Sequence, residues 1–389
     1  MQIHIVRCGE TLFSVAGKLG ISADRLAEEN ALPRPTHLLP GQSLLYARPG
    51  RTRTARAGET PEQICREEGI ALRRLLRQNP YIAETGRLHP GQEIATVQES
   101  APFGALSVYG FLPDAPLSEA ARAALPYLTA LLLCGCHVCA EGVSLPAVAG
   151  EVKQMSADLL PVLWAVVPIS DIGRACPARL TESLRAAGIR GLCAEVNVPE
   201  TVTEKDRRAA ADTAVCLAEG GIGFCLCGDW QHDSTAEPMP GWGGFLCLDR
   251  QRQTKGLSAL CRRITDTVPV SDRRYFAPAL CTEAEETCVL PNGERQTRAA
   301  DTAEMLRAAV CRRISIERDA ESQLAHFSFR TCAGRQAVRH DVRYEDAYAF
   351  SLGVYEMNRT GLCTVCCEAG RVPLWKLYGL SLCYDIIDG

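Results

Sequence analysis

A repeat near the N-terminus constrains the fold of this chain more than any other feature. Residues 5–47 and 54–96 share one pattern at matching offsets: Gly-Glu-Thr near the start, Asn in the middle and Pro-Gly-Gln near the end. Self-similarity of this kind marks repeated supersecondary units. We therefore expect two copies of one small module at the start of the chain.

Local residue preferences predict how each copy folds. Thr11 and Thr60 can cap the helices that follow them, because a hydroxyl oxygen accepts a hydrogen bond from a free backbone N–H. Ser22 fits the cap of a second short helix, and Pro-Gly-Gln is typical of a turn into a closing strand, Ser43–Tyr46. Each copy is predicted to fold as a strand, two helices and a strand (βααβ).

The combined signature resembles the LysM domain over the full length of both copies, which correspond to predicted domains 1–48 and 52–97. LysM domains bind glycans that contain N-acetylglucosamine, such as peptidoglycan and chitin. The resemblance therefore implies a glycan of this class as the partner. It also implies a groove between the first strand–helix loop and the loop that follows the second helix.

The groove positions implied by the resemblance fall on both copies. In the first copy they are Gly9, Glu10, Thr11, Leu12, Asn30, Ala31 and Leu32. In the second copy they are Gly58, Glu59, Thr60, Asn79, Pro80 and Tyr81. The alternative interpretation is that the glycine, threonine and asparagine residues among them only shape turns and helix caps.

From about residue 101 short apolar runs alternate with amphipathic stretches. The runs that fit strands are Ala105–Phe111, Tyr127–Val138, Leu160–Val167, Gly191–Val198, Ile222–Cys227, Gly244–Leu248, Arg274–Leu280 and Gly361–Cys367. Strand–helix alternation of this length predicts a parallel α/β barrel of the TIM type over residues 101–389. The stretch from about 281 to 342 is too long for one crossover and is predicted to be a small α+β insertion.

Two further segments extend the resemblance to the whole chain. Val-Arg-Tyr-Glu-Asp-Ala at residues 342–347, followed by Gly361-Leu362, resembles the end of glycoside hydrolase family 18 barrels. Two LysM modules ahead of such a barrel resemble the spore cortex-lytic and spore-coat N-acetylglucosaminidases of endospore-forming bacteria. The resemblance implies a place in the spore coat or cortex. The first residues show no basic segment before a long apolar core, so we expect synthesis in the cytoplasm without a signal peptide.

The segment aligned with the family's catalytic motif departs from it. Family 18 enzymes carry D-G-x-D-x-D-x-E on the fourth strand, and the last Glu is the general acid. The aligned segment is Arg-Gly-Leu-Cys-Ala-Glu-Val-Asn at residues 190–197, and alternation directs Cys193, Glu195 and Asn197 into the barrel. A carboxamide cannot deliver a proton near neutral pH. With Asn197 at the acid position, we expect hydrolysis to be lost.

Two alternatives remain open beside a non-hydrolytic glycan-binding protein. One is an active N-acetylglucosaminidase with a relocated acid, Glu195 or Asp249, since Asp249 is the acid that remains in the sixth-strand motif. At the end of the last strand the family usually has a tryptophan under the sugar, and here we place Cys367. The other alternative is a structural spore-coat protein that is cross-linked through its cysteines to other coat proteins.

Composition excludes several classes of partner and favours thiols in the core. The 42 basic and 46 acidic residues give a net charge of −4, so no basic field predicts nucleic-acid binding, and no apolar run is long enough for a membrane span. Many of the 20 cysteines alternate within apolar runs, where a thiol is a small buried side chain. Cys134-x-Cys136-x-x-Cys139 lacks paired zinc-site spacing, and no metal or other cofactor is predicted.

Overall fold

The computed structural model describes residues 1–32, 37–98, 103–196, 202–228, 247–249, 256–268, 270–271, 273, 276–333 and 336–388. The first unit consists of β1 (Gln2–Ile5), α1 (Leu12–Leu19), α2 (Ala23–Glu29) and β2 (Ser43–Tyr46). Strands β1 and β2 pair in antiparallel orientation, and the two helices pack beside them around Val15, Leu26 and Leu44. The predicted βααβ order is confirmed here.

The second unit repeats this order with one additional helix. Its elements are β3 (Pro49–Thr54), α3 (Pro61–Glu68), α4 (Leu72–Gln78), α5 (Pro80–Thr85) and β4 (Glu93–Gln98). Strands β3 and β4 are antiparallel, and Ile64, Leu75 and Ile94 form the core. The sequence analysis did not predict α5, which begins at Pro80, where a fixed φ favours a first helical turn.

The large domain alternates strands and helices up to an inserted lobe. Its elements in chain order are β5 (Ala105–Leu112), α6 (Glu119–Ala124), β6 (Ala130–Leu133), β7 (His137–Cys139), β8 (Gly142–Ser144), α7 (Val148–Lys153), β9 (Val162–Pro168), α8 (Pro177–Ala186), β10 (Gly191–Val196), α9 (Glu204–Glu219), β11 (Gly223–Gly228), β12 (Cys247–Asp249), α10 (Leu257–Thr267) and β13 (Phe276–Ala277). Within the described residues, no helix combines the length and the apolar character that a membrane crossing requires.

The lobe and the last barrel elements complete the chain. The lobe holds β14 (Ala284–Val289), β15 (Arg295–Ala300), α11 (Thr302–Arg312), β16 (Glu317–Arg318), β17 (Ala325–Ala333) and β18 (Gln336–Tyr344). After it come α12 (Ala347–Thr360), β19 (Thr364–Glu368), α13 (Leu374–Cys383) and β20 (Asp385–Ile386). The lobe strands form an antiparallel sheet in the order β15-β14-β18-β17-β16, which is the α+β insertion that the sequence predicts.

Eight parallel strands close into a barrel. Their order is β13-β12-β11-β10-β9-β6-β5-β19, and a parallel bridge between Ala279 and Cys366 joins the two ends. The predicted strand Tyr127–Val138 is wrong in length, because the chain leaves the barrel after Leu133. It turns through Gly135, whose φ of +83° favours glycine, before β7 begins. The start of the predicted sixth strand, residues 244–246, lies outside the described residues.

The fourth barrel strand, β10, alternates as the sequence predicts. Leu192 and Ala194 belong to the large core between the strands and the outer helices. Cys193 belongs to the separate core inside the barrel, which includes Cys225 and Cys366. Since successive strand residues point to opposite faces, Glu195 occupies the inner-face position at the carboxyl end of β10.

One aromatic ring fills the amino-terminal end of the barrel interior. Trp164 of β9 lies across Gly191 and Gly223, the first residues of the two neighbouring strands. A Cβ atom at Gly191 would overlap the indole ring, and one at Gly223 would lie 2.6 Å from it. Tyr109 packs edge-on against the same ring at a centroid distance of 5.6 Å. The glycines are therefore required by packing.

A single buried carboxylate connects the first unit, the lobe and the barrel. Asp346, at 5% exposure, accepts a hydrogen bond from Ser43 Oγ at 2.7 Å. It also accepts two hydrogen bonds from the Arg318 guanidinium of the lobe, at 2.6 and 3.0 Å. Its third role is to cap α12, because Oδ1 accepts from the backbone N–H of Ala349.

The second unit is attached to the barrel through arginines. Arg73 donates to the backbone carbonyls of Pro126 and Leu128, and Arg77 donates to those of Pro126 and Ile386. Both side chains are largely covered by protein. Because each guanidinium satisfies carbonyls outside its own unit, the second unit is held in a fixed orientation.

We predict that Gly191→Ala destabilises the barrel by about 1–3 kcal/mol, since the new methyl group must displace the Trp164 ring. Gly150→Ala is the matched control, because no atom lies within 4 Å of a Cβ there, and it should be neutral or stabilising by up to about 1 kcal/mol. Urea unfolding followed by circular dichroism measures both. Equal stability of the two variants would contradict this packing.

Candidate glycan-binding clefts and barrel mouth

The glutamates of the two Gly-Glu-Thr motifs make equivalent hydrogen bonds. Glu10 accepts from the backbone N–H of Arg7 at 2.9 Å, and Glu59 accepts from that of Arg56 at 2.9 Å. Glu10 also binds Lys18 Nζ at 2.6 Å, and this hydrogen bond is the main reason that its pKa falls to about 2. Glu59 is correspondingly paired with an arginine. Both glutamates thus stabilise the first strand–helix loop.

The glycines and threonines of these motifs also have structural roles. Gly9 and Gly58 have φ values of +82° and +75°, which suit a turn without a side chain. Thr11 and Thr60 each complete a capping box with the residue three positions later. The capping predictions are confirmed for both copies. Leu12 is half-buried and packs against the core of the first unit.

The central asparagines join helix to strand in the same way in both units. Asn30 donates from Nδ2 to the carbonyls of Leu26 and Leu45 and accepts from the N–H of Leu45. Asn79 makes the corresponding three hydrogen bonds to the backbone of Leu75 and Ala95. Both N–H donors of each amide are used within the unit. The side chains of Asn30 and Asn79 therefore hold their units together.

A cleft of about 910 Å³ lies between the two N-terminal units. Ala31 and Leu32 of the first unit line one side, and Tyr81 of the second unit lines the other. The Tyr81 hydroxyl is 2.8 Å from Nε2 of His89, which also lines the cleft. Pro80 is buried. The residues of the first strand–helix loops, Gly9 to Leu12 and Gly58 to Thr60, are not among those that line this cleft.

A second cleft of about 260 Å³ opens on the other side of the same loop. It lies between Ala31 and Leu32, helix α11 of the lobe and Trp375 of α13. Ala31 lines both clefts, so its loop lies between them. The residue has a φ of +49°, an uncommon value for alanine. Residues 33–36, which continue this loop, lie outside the described residues.

The sequence analysis missed an exposed aromatic residue beside the first loop. Phe13 of α1 is 79% exposed, although large aromatic side chains are usually buried. The helical pattern places Val15, Ala16 and Leu19 on the core face and leaves Phe13 off it. An aromatic residue off the apolar face of a predicted helix is the sequence signal that could have identified Phe13.

The barrel mouth presents Glu195 above a layer of thiols. Glu195 is half-buried, in register with Cys227 on one side and Pro168 on the other. Cys193, two residues before it, is fully buried, and burial raises the pKa of its thiol well above the usual range. Asn197 lies outside the described residues, and the backbone of Asp249 is in register with Gly228 of β11.

The placement of Cys367 under the mouth is wrong. Cys367 packs in the outer core, and its neighbour Cys366 faces the interior. The correct register reveals a carboxylate that the sequence analysis missed, because Glu368 lies opposite Phe111, an interior residue. Glu368 is half-buried and pairs with Arg371 at 3.1 Å. Glu195 and Glu368 are thus the inner-face acids of β10 and β19.

The three thiols of the Cys134–Cys139 segment are not brought together as a metal site. Cys136 is buried, Cys139 is exposed and Cys134 is intermediate. Across the described residues, one group of three possible ligands lies close enough to hold an ion, and it belongs to the lobe: Glu286, Cys288 and His340.

Comparison with known proteins identifies the first unit and relates parts of the chain to curated proteins. The LysM domain family matches residues 4–45. The membrane-bound lytic murein transglycosylase D of Escherichia coli K12 is 30% identical over 104 residues, which are 24% of this chain and 22% of that protein. The Bacillus subtilis protein YdhD, named as a sporulation-specific glycosylase, is 30% identical over 144 residues, which are 36% of this chain and 33% of that protein. The chain thus spans between about a fifth and a third of these relatives.

Solved structures resemble the chain over its whole length. The spore cortex-lytic enzyme SleL of Bacillus megaterium QM B1551 superimposes with a TM-score of 0.68 at 14% identity, covering 100% of this chain and 99% of SleL. SleL of Bacillus cereus gives a TM-score of 0.68 at 17% identity with the same coverage. The TM-scores show a shared fold. The protein therefore carries an N-terminal LysM domain and has the overall fold of the SleL spore cortex-lytic enzymes.

Proposed function

We propose that this protein binds an N-acetylglucosamine-containing glycan such as peptidoglycan and that its barrel does not hydrolyse it. The observation that carries the binding proposal is the cleft in which Ala31 and Leu32 of the LysM domain face Tyr81 of the second unit. An aromatic ring with a polar tip offers a sugar both a stacking surface and a hydrogen bond.

We propose that the second unit, residues 52–97, is also a LysM module. The support is a repeated set of contacts: the glutamate on a backbone N–H, the threonine capping box and the asparagine between helix and strand. The glutamine of Pro-Gly-Gln adds a fourth, since Gln42 and Gln92 each accept from the backbone N–H three residues earlier. Such agreement in hydrogen bonds supports the proposal that the two units share one fold.

Loss of hydrolysis rests on the residues that replace the family's acids. Family 18 chemistry requires a protonated carboxyl group at the position of Asn197 and an aspartate at the position of Cys193. The buried Cys193 thiol, with its raised pKa, is neutral near pH 7 and cannot supply the missing negative charge. The competing proposal is an enzyme in which Glu195 or Asp249 has become the acid.

We also propose that the protein acts in the spore, in the coat or the cortex. The support is the fold shared with two spore cortex-lytic enzymes and the partial identity with a protein named for sporulation. In that setting the barrel would present the LysM domain to cortex peptidoglycan.

We predict that Tyr81→Ala weakens binding to purified peptidoglycan by roughly three- to tenfold, through loss of one sugar-stacking ring. Tyr355→Ala is the matched control, because Tyr355 is 58% exposed on α12 and is not among the residues that line the cleft. This variant should bind as the parent does. Co-sedimentation with insoluble sacculi measures both affinities. Equal affinity of Tyr81→Ala and the parent would count against the cleft as the binding site.

Exposed thiols support cross-linking to other coat proteins as a second candidate role. Among the cysteines whose side chains the structure describes, the exposed ones are Cys8, Cys139, Cys176, Cys311, Cys332 and Cys363. They are spread over the LysM domain, the barrel and the lobe. Under mild oxidation we expect species of high molecular mass on a non-reducing gel. Reductant should convert them to monomer, because it cleaves disulfide bonds. Serine at all six positions should abolish them. Persistence of these species in that variant would remove the proposal.

A further inference from the structure

The inserted lobe carries a group of three metal-ligating side chains that neither the LysM domain nor the barrel mouth uses. Glu286 and Cys288 lie on β14, and His340 lies on β18. Their ligand atoms all lie within 4.8 Å of one another. We propose that they form a binding site for a divalent transition-metal ion of the zinc class, independent of the proposed glycan binding.

Strand register explains why the three side chains meet. Glu286 and Cys288 are two residues apart and therefore point to the same face of the sheet. His340 is directly opposite Cys288 on the neighbouring strand. The same face carries Val342 and Phe327 of the lobe core beneath α11. The group is thus preorganised on a rigid sheet.

The spacing suits tetrahedral coordination by sulfur and nitrogen. Cys288 Sγ lies 3.5 Å from Nδ1 of His340. Zinc bonds of about 2.3 Å to sulfur and about 2.0–2.1 Å to nitrogen, at a tetrahedral angle, require a separation of roughly 3.5 Å. The carboxylate of Glu286 is 2.7 Å from the same nitrogen. Sharing a tetrahedral zinc ion requires a separation of about 3.4 Å, so the carboxylate would move back by about 0.7 Å.

A second set of contacts orients the imidazole. His340 Nε2 is 2.7 Å from Thr331 Oγ1, so the ring nitrogen remote from the ligand group already has a partner. The ring stacks on Phe329 with centroids 4.6 Å apart and planes at 5°. When Nδ1 binds a metal, its proton moves to Nε2 and is donated to Thr331. Outer partners of this kind fix metal-binding histidines.

Charge and access are compatible with a bound cation. Glu286 is nearly fully buried, whereas Cys288 is half-buried and provides the route from solvent. Metal binding releases the thiol proton, so the thiolate and the carboxylate neutralise a divalent ion. Arg298 opposes it, since its Nε donates to the other oxygen of Glu286 at 2.7 Å. Three protein ligands leave a fourth position for water.

Cobalt(II) titration of the full-length protein under reducing conditions tests this site. We expect one equivalent to give a near-ultraviolet thiolate-to-cobalt absorption band that zinc(II) abolishes. Cys288→Ser and His340→Gln should each weaken cobalt affinity at least about tenfold, and Thr331→Val should weaken it by about tenfold. Cys332→Ser, an exposed thiol of the same lobe, is the matched control and should leave the band unchanged.

The arginine provides a test that does not depend on removing a ligand. Arg298→Met should tighten cobalt binding several-fold, because it removes a positive charge beside the ion. Melting curves without metal check that each variant is folded. A band that survives in Cys288→Ser and His340→Gln, or an affinity that falls in Arg298→Met, would show that the three residues form only an ion-pair network.

Discussion

The junction of the LysM domain, the lobe and the barrel is organised around the buried carboxylate of Asp346. A buried charge is costly unless each oxygen is paired, and Asp346 meets this requirement with partners from three parts of the chain. Ser43 belongs to the LysM domain, Arg318 to the lobe and Ala349 to the barrel helix that the carboxylate caps. Loss of this group would leave Arg318 half-buried without its anion and would remove one of the buried hydrogen bonds that join the LysM domain to the barrel.

A further buried contact restricts the same interface, and a second buried ion pair lies beside it. Glu29 of the LysM domain accepts from Arg25 and from the Tyr378 hydroxyl of α13, each at 2.7 Å. Burial raises the pKa of Glu29, and its two donors oppose that effect. Glu345, which precedes Asp346 in the sequence, accepts from Lys376 of the outer helix α13. Because of these contacts the LysM loop at Ala31 is held between the second unit and the lobe, where the two clefts open.

Much of the local structure could be predicted from the sequence. The capping threonines, the βααβ order and the alternation of β10 follow from short-range preferences. The Cys367 register was wrong because residues 362–367 are apolar or small on both faces of β19, so alternation gave no signal. The correct register depends on pairing with β5, and Glu368 was missed for the same reason.

Other features depend on tertiary contacts that no local pattern encodes. Asn30 and Asn79 act as structural links because a strand 15 or 16 residues later lies beside the helix. Glu286 and His340 are separated by 54 positions and meet only through sheet register. Asp346 and Ser43 are separated by 303 positions and meet only in the folded protein. Asp346 belongs to the segment that resembles the end of family 18 barrels, and that resemblance does not indicate its role in attaching the LysM domain.

Binding without cleavage is the central claim, and reducing-end release tests it most directly. Cortex peptidoglycan is incubated with the purified protein, and new N-acetylglucosamine reducing ends are counted by mass spectrometry after borohydride reduction. We predict the same count as in buffer, while the protein sediments with the polymer. Ends that accumulate with the parent protein and disappear with Glu195→Gln would contradict the claim and identify a relocated acid.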